Sequence, residues 1–210
     1  MNTRSSPATA PAGEMDEPPG EPAWAVALLF PPQGHWTEAD YLALSTNHLV
    51  EFSAGVVEVP EIPTDRHPAI VAFLVSRLLA FVSAGRLGTV RFAPLPVRLW
   101  PGKFREPDVV FMRAEHASRI TDPYWGVPDL AVEVVSPGTR RNDCVIKVRE
   151  YAEAGVPEYW LVDPEAGTVT VYVLSGSTYA AHAAGQSGDS VTSPTLPGLE
   201  VAVSDALGAR

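Results

Sequence analysis

Apolar residues recur at three- and four-residue spacing between positions 68 and 84, which is the most regular pattern in the chain. They are Ile70, Phe73, Leu74, Leu78, Phe81 and Val82. This spacing predicts an amphipathic helix, and Gly85 is expected to end it. A second helix is predicted from about Arg141 to Ala154, closed by Gly155. A short helix after Thr37 is predicted from a capping box with Asp40.

Shorter apolar runs, bounded by Gly, Pro and polar residues, predict strands. Two of them form a hairpin around Ala54-Gly55, at 49–53 and 56–59. The others lie at 89–92, at 96–100, from about Arg105 onward, and at 129–135, 158–162, 169–174, 178–180 and 199–203. Residues 113–127 are predicted to form a loop with a helical turn. Because helices and strands are interspersed, the order predicts an α/β domain.

The composition fits one domain preceded by a tail. Residues 1–22 are rich in Pro, Ala and Glu and are expected to be disordered, whereas residues 23–210 are expected to form one domain. We find no run of about 18 consecutive apolar residues and no signal-peptide pattern, so we expect a cytoplasmic protein without a membrane partner. The single cysteine, Cys144, excludes an internal disulfide.

The charge is acidic overall but is unevenly distributed. The formal net charge is −10, which argues against a non-specific nucleic-acid binder. Residues 86–149 nevertheless carry eleven Lys and Arg against seven Asp and Glu. The remainder of the chain holds four basic and eighteen acidic residues. The candidate chemistry described next lies within this basic stretch.

Two carboxylates occur in otherwise apolar strands. Glu133 lies inside the predicted 129–135 strand, and Asp108 stands at the head of an apolar run of four residues. An unpaired buried carboxylate costs several kcal/mol, so Glu133 is expected to have a cation, a proton or a metal as its partner. Adjacent strands would bring both carboxylates together as a hard-oxygen cation site, with Lys147 on the following helix. We assign Asp129 to strand entry.

Several stretches of the sequence then resemble one family. They are Arg-Glu-Pro-Asp-Val-Val-Phe-Met (105–112), Asp-Leu-Ala-Val-Glu-Val-Val-Ser-Pro (129–137), Asp143 with Lys147 and Tyr151, and Gly-Val-Pro-Glu-Tyr-Trp-Leu-Val-Asp-Pro (155–164). From Thr37 to about Asp205 the chain resembles the putative restriction endonuclease family of the PD-(D/E)XK nuclease superfamily. The resemblance implies a restriction-endonuclease-like core, in which a mixed central β-sheet is flanked by helices, with added β-hairpins.

The same resemblance implies a metal-dependent endonuclease that hydrolyses phosphodiesters, with DNA as its substrate. Mg²⁺, or Mn²⁺ in its place, would be held by Asp108, Glu133 and the carbonyl of Val134. The superfamily lysine two residues after the second acid is replaced here by Val135. The resemblance places a lysine at position 147 instead, and we predict that Lys147 takes over this catalytic role.

Four accessory candidates and two other functions remain open. The accessory residues are Glu51, His67, Asp143 and Tyr151, of which Asp143 is expected to pair with Lys147 and Tyr151 to pack. The chain could instead be a non-catalytic binding module with a nuclease fold, or a hydrolase of small phosphoesters. An ammonium of Lys147 close to the carboxylates favours the enzyme, and one facing solvent favours the module. A homodimer is plausible because symmetric dimers are common.

Overall fold

The computed structural model describes residues 29–44, 49–61 and 64–210. Contacts divide the chain into two units, Met1–Pro32 and Gln33–Arg210, and the fold described below is that of the second unit. The predicted tail at residues 1–22 lies outside the described residues. The boundary predicted between the tail and the domain therefore stays a prediction.

The second unit begins with a capped helix and a hairpin. Helix α1 is Glu38–Leu42, and the capping box is confirmed, since Thr37 and Asp40 each accept a hydrogen bond from the other's amide. Strands β1 (Glu51–Ser53) and β2 (Val56–Glu58) form the predicted hairpin. Ala54 and Gly55 both have positive φ, as a tight two-residue hairpin turn requires.

The long periodic helix is present as α2, Arg66–Gly85. Its buried face carries Ile70, Leu74, Val75, Leu78 and Val82. The predicted end at Gly85 was wrong by one residue: Gly85 is still helical, and Arg86 takes the left-handed conformation while the Leu87 amide bonds the Val82 carbonyl. Within the described ranges α2 alone is long and apolar enough to cross a membrane, a test that core helices also pass.

In the part of the chain that the structure describes, ten further strands complete three sheets. They are β3 (Gly88–Phe92), β4 (Val97–Trp100), β5 (Lys103–Arg105), β6 (Val109–Arg113), β7 (Leu130–Val134), β8 (Glu158–Asp163), β9 (Thr168–Ser175), β10 (Thr178–Gln186), β11 (Ser190–Thr192) and β12 (Glu200–Ala202). The largest sheet has the order β10-β9-β8-β7-β6-β3, in which only β7 and β8 pair in parallel. A four-stranded sheet has the order β2-β1-β5-β4, and β11 pairs with β12. The predicted fold class, a mixed sheet flanked by helices, is confirmed.

The single strand predicted from Arg105 onward is in fact two strands. Residues 106–108 separate β5 from β6, and the two strands belong to different sheets. Pro107 lies in this break, and because proline has no amide hydrogen it cannot continue a ladder of hydrogen bonds. Asp108 therefore stands at the corner where the chain passes from the small sheet to the large one.

The helix predicted at 141–154 has two parts. Residues Asn142–Lys147 form a π-helix, which continues as α3 (Val148–Ala154) and ends at a left-handed Gly155. π-Helical turns are rare overall, but those that do occur often lie at functional sites. Asp143 and Lys147 both lie in this turn, and both are buried.

The predictions for the remaining segments were partly wrong. A 3₁₀-helix, Ala114–Arg119, supplies the helical turn expected in the 113–127 loop. Strand β10 runs on to Gln186 through an alanine-rich stretch that does not favour a strand by itself. Strand β11 was missed, and the predicted last strand stops at Ala202, where α4 (Val203–Leu207) begins.

The large sheet buries both of its faces. Val132 and Val134 pack with Leu74 of α2 on one face. Ala131 and Val135 pack with Tyr151 of α3 on the other. Side chains alternate along a strand, so Glu133 of β7 points toward α3 rather than α2. This alternation sets the partners of Glu133.

Candidate active site

Asp108 and Glu133 come together where β6 and β7 run side by side. The antiparallel register pairs Val109 with Val132, and one step further it brings position 108 beside position 133. Oδ2 of Asp108 accepts a hydrogen bond of 2.7 Å from the amide of Val134. Both carboxylates are largely buried. The structure thus brings together the two acids that the sequence pattern singled out.

Lys147 reaches this pair from the π-helix. Its Nζ atom lies 2.9 Å from Glu133 Oε2, 3.2 Å from Asp143 Oδ1 and 3.4 Å from Glu51 Oε1. Burial opposes the ammonium charge, but Glu133, Glu51, Asp143 and Asp108 together raise the pKa of Lys147 well above its ordinary value. Lys147 therefore carries a buried positive charge among several carboxylates.

Glu133 is held at both oxygen atoms. Lys147 contacts Oε2, and the hydroxyl of Tyr151 donates a hydrogen bond of 2.5 Å to Oε1. Burial raises the pKa of Glu133 to about 8; Lys147 opposes this shift, and Asp108 adds to it. Tyr151 is fully buried, so it packs as expected and also fixes the orientation of Glu133.

His67 approaches Asp108 from the first turn of α2. Its Nε2 atom lies 3.2 Å from Oδ2 of Asp108. Burial lowers the pKa of His67, but the hydrogen bond and the charge of Asp108 outweigh burial, and the net shift is upward. Both described contacts of Asp108 use Oδ2, which leaves Oδ1 available to a ligand.

Glu51 belongs to a second ion-pair network behind the first. It contacts Arg105 as well as Lys147, and these two cations outweigh burial and lower its pKa. Arg105 also binds Glu150, with Nε 2.7 Å from Oε2, and Lys103 lies 2.6 Å from the same carboxylate. Lys103 is a buried residue of β5, where Glu150 neutralises it.

Glu106 is a candidate that the sequence analysis missed. It is buried, its Oε1 atom lies 3.4 Å from the hydroxyl of Tyr41, and Oε2 has no hydrogen-bond partner among the described residues. Burial, with a contribution from Glu51, raises its pKa to about 7. One signal was available in the sequence, because residues two apart on an extended chain share a face, and Glu106 is two positions before Asp108.

These side chains line one recess of about 40 Å³. The ionisable residues of its lining are Glu51, Glu61, His67, Glu106, Asp108, Glu133, Asp143 and Lys147. Val134, Ser136 and Thr139 also line it, and the Thr139 hydroxyl donates to Asp143. Every residue predicted from the sequence as catalytic, accessory or metal-binding lies in this lining except Tyr151, which supports Glu133 from behind.

The lining suits a hard divalent cation in charge and in donor type. Six carboxyl groups line the recess, with Lys147 and His67 as the basic residues of the lining; the six are Glu51, Glu61, Glu106, Asp108, Glu133 and Asp143. The acidic groups therefore outnumber the basic ones, and carboxylate oxygens are the donors that hard divalent cations prefer. Among the described side chains, no three His, Cys, Asp or Glu residues form a ready-made metal group. Lys147 now takes up part of the space between the carboxylates.

Comparisons with known proteins agree with this fold. The family described as Putative restriction endonuclease (Uma2) matches residues 38–204. One similar solved structure is the crystal structure of a putative nuclease belonging to DUF820 from Anabaena variabilis ATCC 29413. It is 20% identical with a TM-score of 0.69, and the match covers 82% of this chain and 98% of that chain. No curated protein matches the chain.

The fold class is thus a mixed α/β domain of the kind found in that nuclease structure. The family match spans more than half of the chain, and the protein belongs to the Uma2 putative restriction endonuclease family. The family predicted from the sequence motifs is confirmed.

Proposed function

We propose that the protein is a Mg²⁺-dependent endonuclease that hydrolyses phosphodiester bonds in DNA at the recess around Asp108 and Glu133. The observation that carries this proposal is the position of Lys147. Its ammonium lies 2.9 Å from Glu133, inside the recess that Asp108 also lines. A positive charge beside two acids is the combination that phosphodiester cleavage requires.

Asp108, Glu133 and the carbonyl of Val134 would hold the cation. A Mg²⁺ ion held there would neutralise phosphate charge and lower the pKa of an attacking water. Lys147 would supply a fixed charge that stabilises negative charge developing on the phosphate, because its carboxylate neighbours outweigh the effect of burial and raise its pKa. Tyr151 keeps Glu133 in one orientation, and His67 does the same for Asp108.

The geometry also bears on the two alternatives. A non-catalytic module would leave Lys147 free to face solvent, whereas Lys147 is only 6% exposed. The recess of about 40 Å³ is too small to enclose a phosphoester by itself, so a substrate of either kind, small or polymeric, extends beyond it.

The test is nicking of supercoiled plasmid in Mg²⁺ or Mn²⁺ by the parent and by Asp108→Ala. Asp122→Ala is the matched control, because Asp122 is exposed and is not part of the recess lining. We expect the parent and the control to nick and Asp108→Ala to be inactive. Equal nicking by all three preparations would contradict the proposal, because the activity would then come from a contaminant or from another site.

A further inference from the structure

An apolar groove of about 540 Å³ opens directly beside the recess. Val71, Val75 and Leu79 of α2 form one wall, and Phe92 and Pro94, at and beyond the end of β3, form the other. His67 and Asp108 line both the groove and the recess. A substrate whose reacting phosphate is at Asp108 therefore has its neighbouring group in this groove.

The chemistry of the groove is unlike that of a surface that binds a DNA backbone. Within the described part of the chain no lysine or arginine lines it, and His67 and Asp108 are its ionisable groups. Duplex DNA presents its phosphates outward, and a protein surface needs cationic side chains to bind them. Aliphatic and aromatic side chains form no ion pairs with phosphates, but they can pack against the flat apolar face of a base.

Two large side chains of the wall are open to solvent. Phe92 is 53% exposed and Leu79 is 40% exposed, whereas most large apolar residues of the domain are buried. Phe92 is the last residue of β3, which is an edge strand of the large sheet. An exposed ring at the rim of a groove can stack on a base, because every base has a π-face.

Because the groove is continuous with the recess and is lined by aliphatic and aromatic side chains, we infer that it receives an unpaired nucleobase next to the scissile phosphate. The substrate is then a single strand, or an unpaired segment such as negative supercoiling opens in a plasmid, rather than a continuous duplex. In a duplex the bases are stacked and paired, so none can enter the groove without first leaving the stack. The groove volume of about 540 Å³ lies within the range of sites that bind drug-sized ligands. This inference rests on the proposed nuclease function for the position of the phosphate.

The experiment compares a fluorescent single-stranded oligonucleotide with the duplex of the same sequence. Cleavage is measured in Mn²⁺, and binding is measured by anisotropy. We expect the parent to prefer the single strand, and Phe92→Ala to raise KM for it about tenfold with little change in kcat, as expected for lost stacking. Phe92→Trp should keep the parental KM, because the ring is retained, whereas Phe92→Leu should behave like Phe92→Ala. Leu87→Ala is the control, since Leu87 is 37% exposed and lies outside the groove.

The other outcomes separate the groove inference from the proposed nuclease function. Equal cleavage of duplex and single strand, or an unchanged KM in Phe92→Ala, removes the groove inference and leaves the proposed nuclease function intact. If no cleavage occurs but the binding measured by anisotropy still depends on Phe92, the proposed nuclease function is contradicted and base binding in the groove is supported. If neither cleavage nor binding is observed, both the nuclease function and the groove inference are contradicted. If Phe92→Ala instead converts a dimer to a monomer in sedimentation, the groove is an interface between two copies of the chain.

Discussion

Nζ of Lys147 lies 2.9 Å from Oε2 of Glu133, although the first residue is on a π-helix and the second is on a central strand. Val135, which occupies the position of the superfamily lysine, is packed in the core beside Tyr151. A positive charge thus reaches the strand acid from the helix. The predictions below follow from this arrangement.

Lys147→Ala should remove most of the turnover and should also destabilise the fold. Removing the ammonium leaves Glu133, Asp143 and Glu51 without the cation they share, and breaking such a buried pair costs about 3–5 kcal/mol. Nicking rates should therefore be measured at a temperature where circular dichroism shows the variant to be folded. Arg at position 147 should rescue poorly, since a planar fork does not replace a compact ammonium.

Adding Val135→Lys to Lys147→Ala should restore part of the lost turnover. Residue 135 is two positions after Glu133, so it points to the same face of the sheet. Partial recovery in single-turnover nicking would show that the charge can act from the strand as well as from the helix. If Lys147→Ala alone retains the parental rate while folded, Lys147 is only a structural partner of the carboxylates.

In Glu133→Gln, the free energy of unfolding should decrease less between low and high pH than it does in the parent. The pKa of Glu133 is raised to about 8 from an ordinary value of 4.5, so the folded protein holds this proton more tightly than the unfolded chain. The corresponding stability is fully present below the unfolded pKa and is lost as pH rises through the folded pKa. Urea unfolding at about pH 5 and about pH 9 should show a smaller decrease for Glu133→Gln than for the parent. Glu153→Gln, at an exposed position of α3, should behave like the parent.

Tyr151→Phe should lower the free energy of unfolding by about 1.5–3 kcal/mol if the Glu133 carboxylate is the acceptor. The hydroxyl of Tyr151 donates to Glu133, whereas that of Tyr159 donates to the backbone carbonyl of Asp143 at 3.2 Å. Tyr159→Phe is therefore the matched control, with an expected loss of about 0.5–1.5 kcal/mol for a neutral acceptor. Chemical denaturation of both variants measures the difference. Equal losses would contradict a special role of Tyr151 in holding Glu133.

The main elements could be predicted because their patterns are local. The periodicity of α2, the capping box at Thr37 and the turn at Ala54-Gly55 each depend on residues close together in sequence. The break between β5 and β6 could not be predicted, because it depends on which sheet each of the two strands joins. The alanine-rich end of β10 and the short α4 have weak local signals, and their packing partners decide their conformation.

The candidate site shows the same division. Asp108, Glu133 and Lys147 could be selected because charged residues in apolar elements need partners. The spacing of Glu106 from Asp108 was the one signal for its burial, whereas the neutralisation of Lys103 by Glu150 could not be predicted, because these two residues are distant in sequence. The π-helical turn was missed because its residues read as an ordinary helix. The sequence alone does not show which charged side chains belong to the same buried network.

The central claim is that Asp108 and Glu133 hold a divalent cation, and calorimetric titration of Mn²⁺ tests it most directly. Both carboxylates line the recess, so the removal of either one should weaken the binding of a cation there. The account predicts saturable binding of Mn²⁺ by the parent and no binding by Asp108→Ala. Identical titrations of the two proteins, or no binding by the parent, would contradict it.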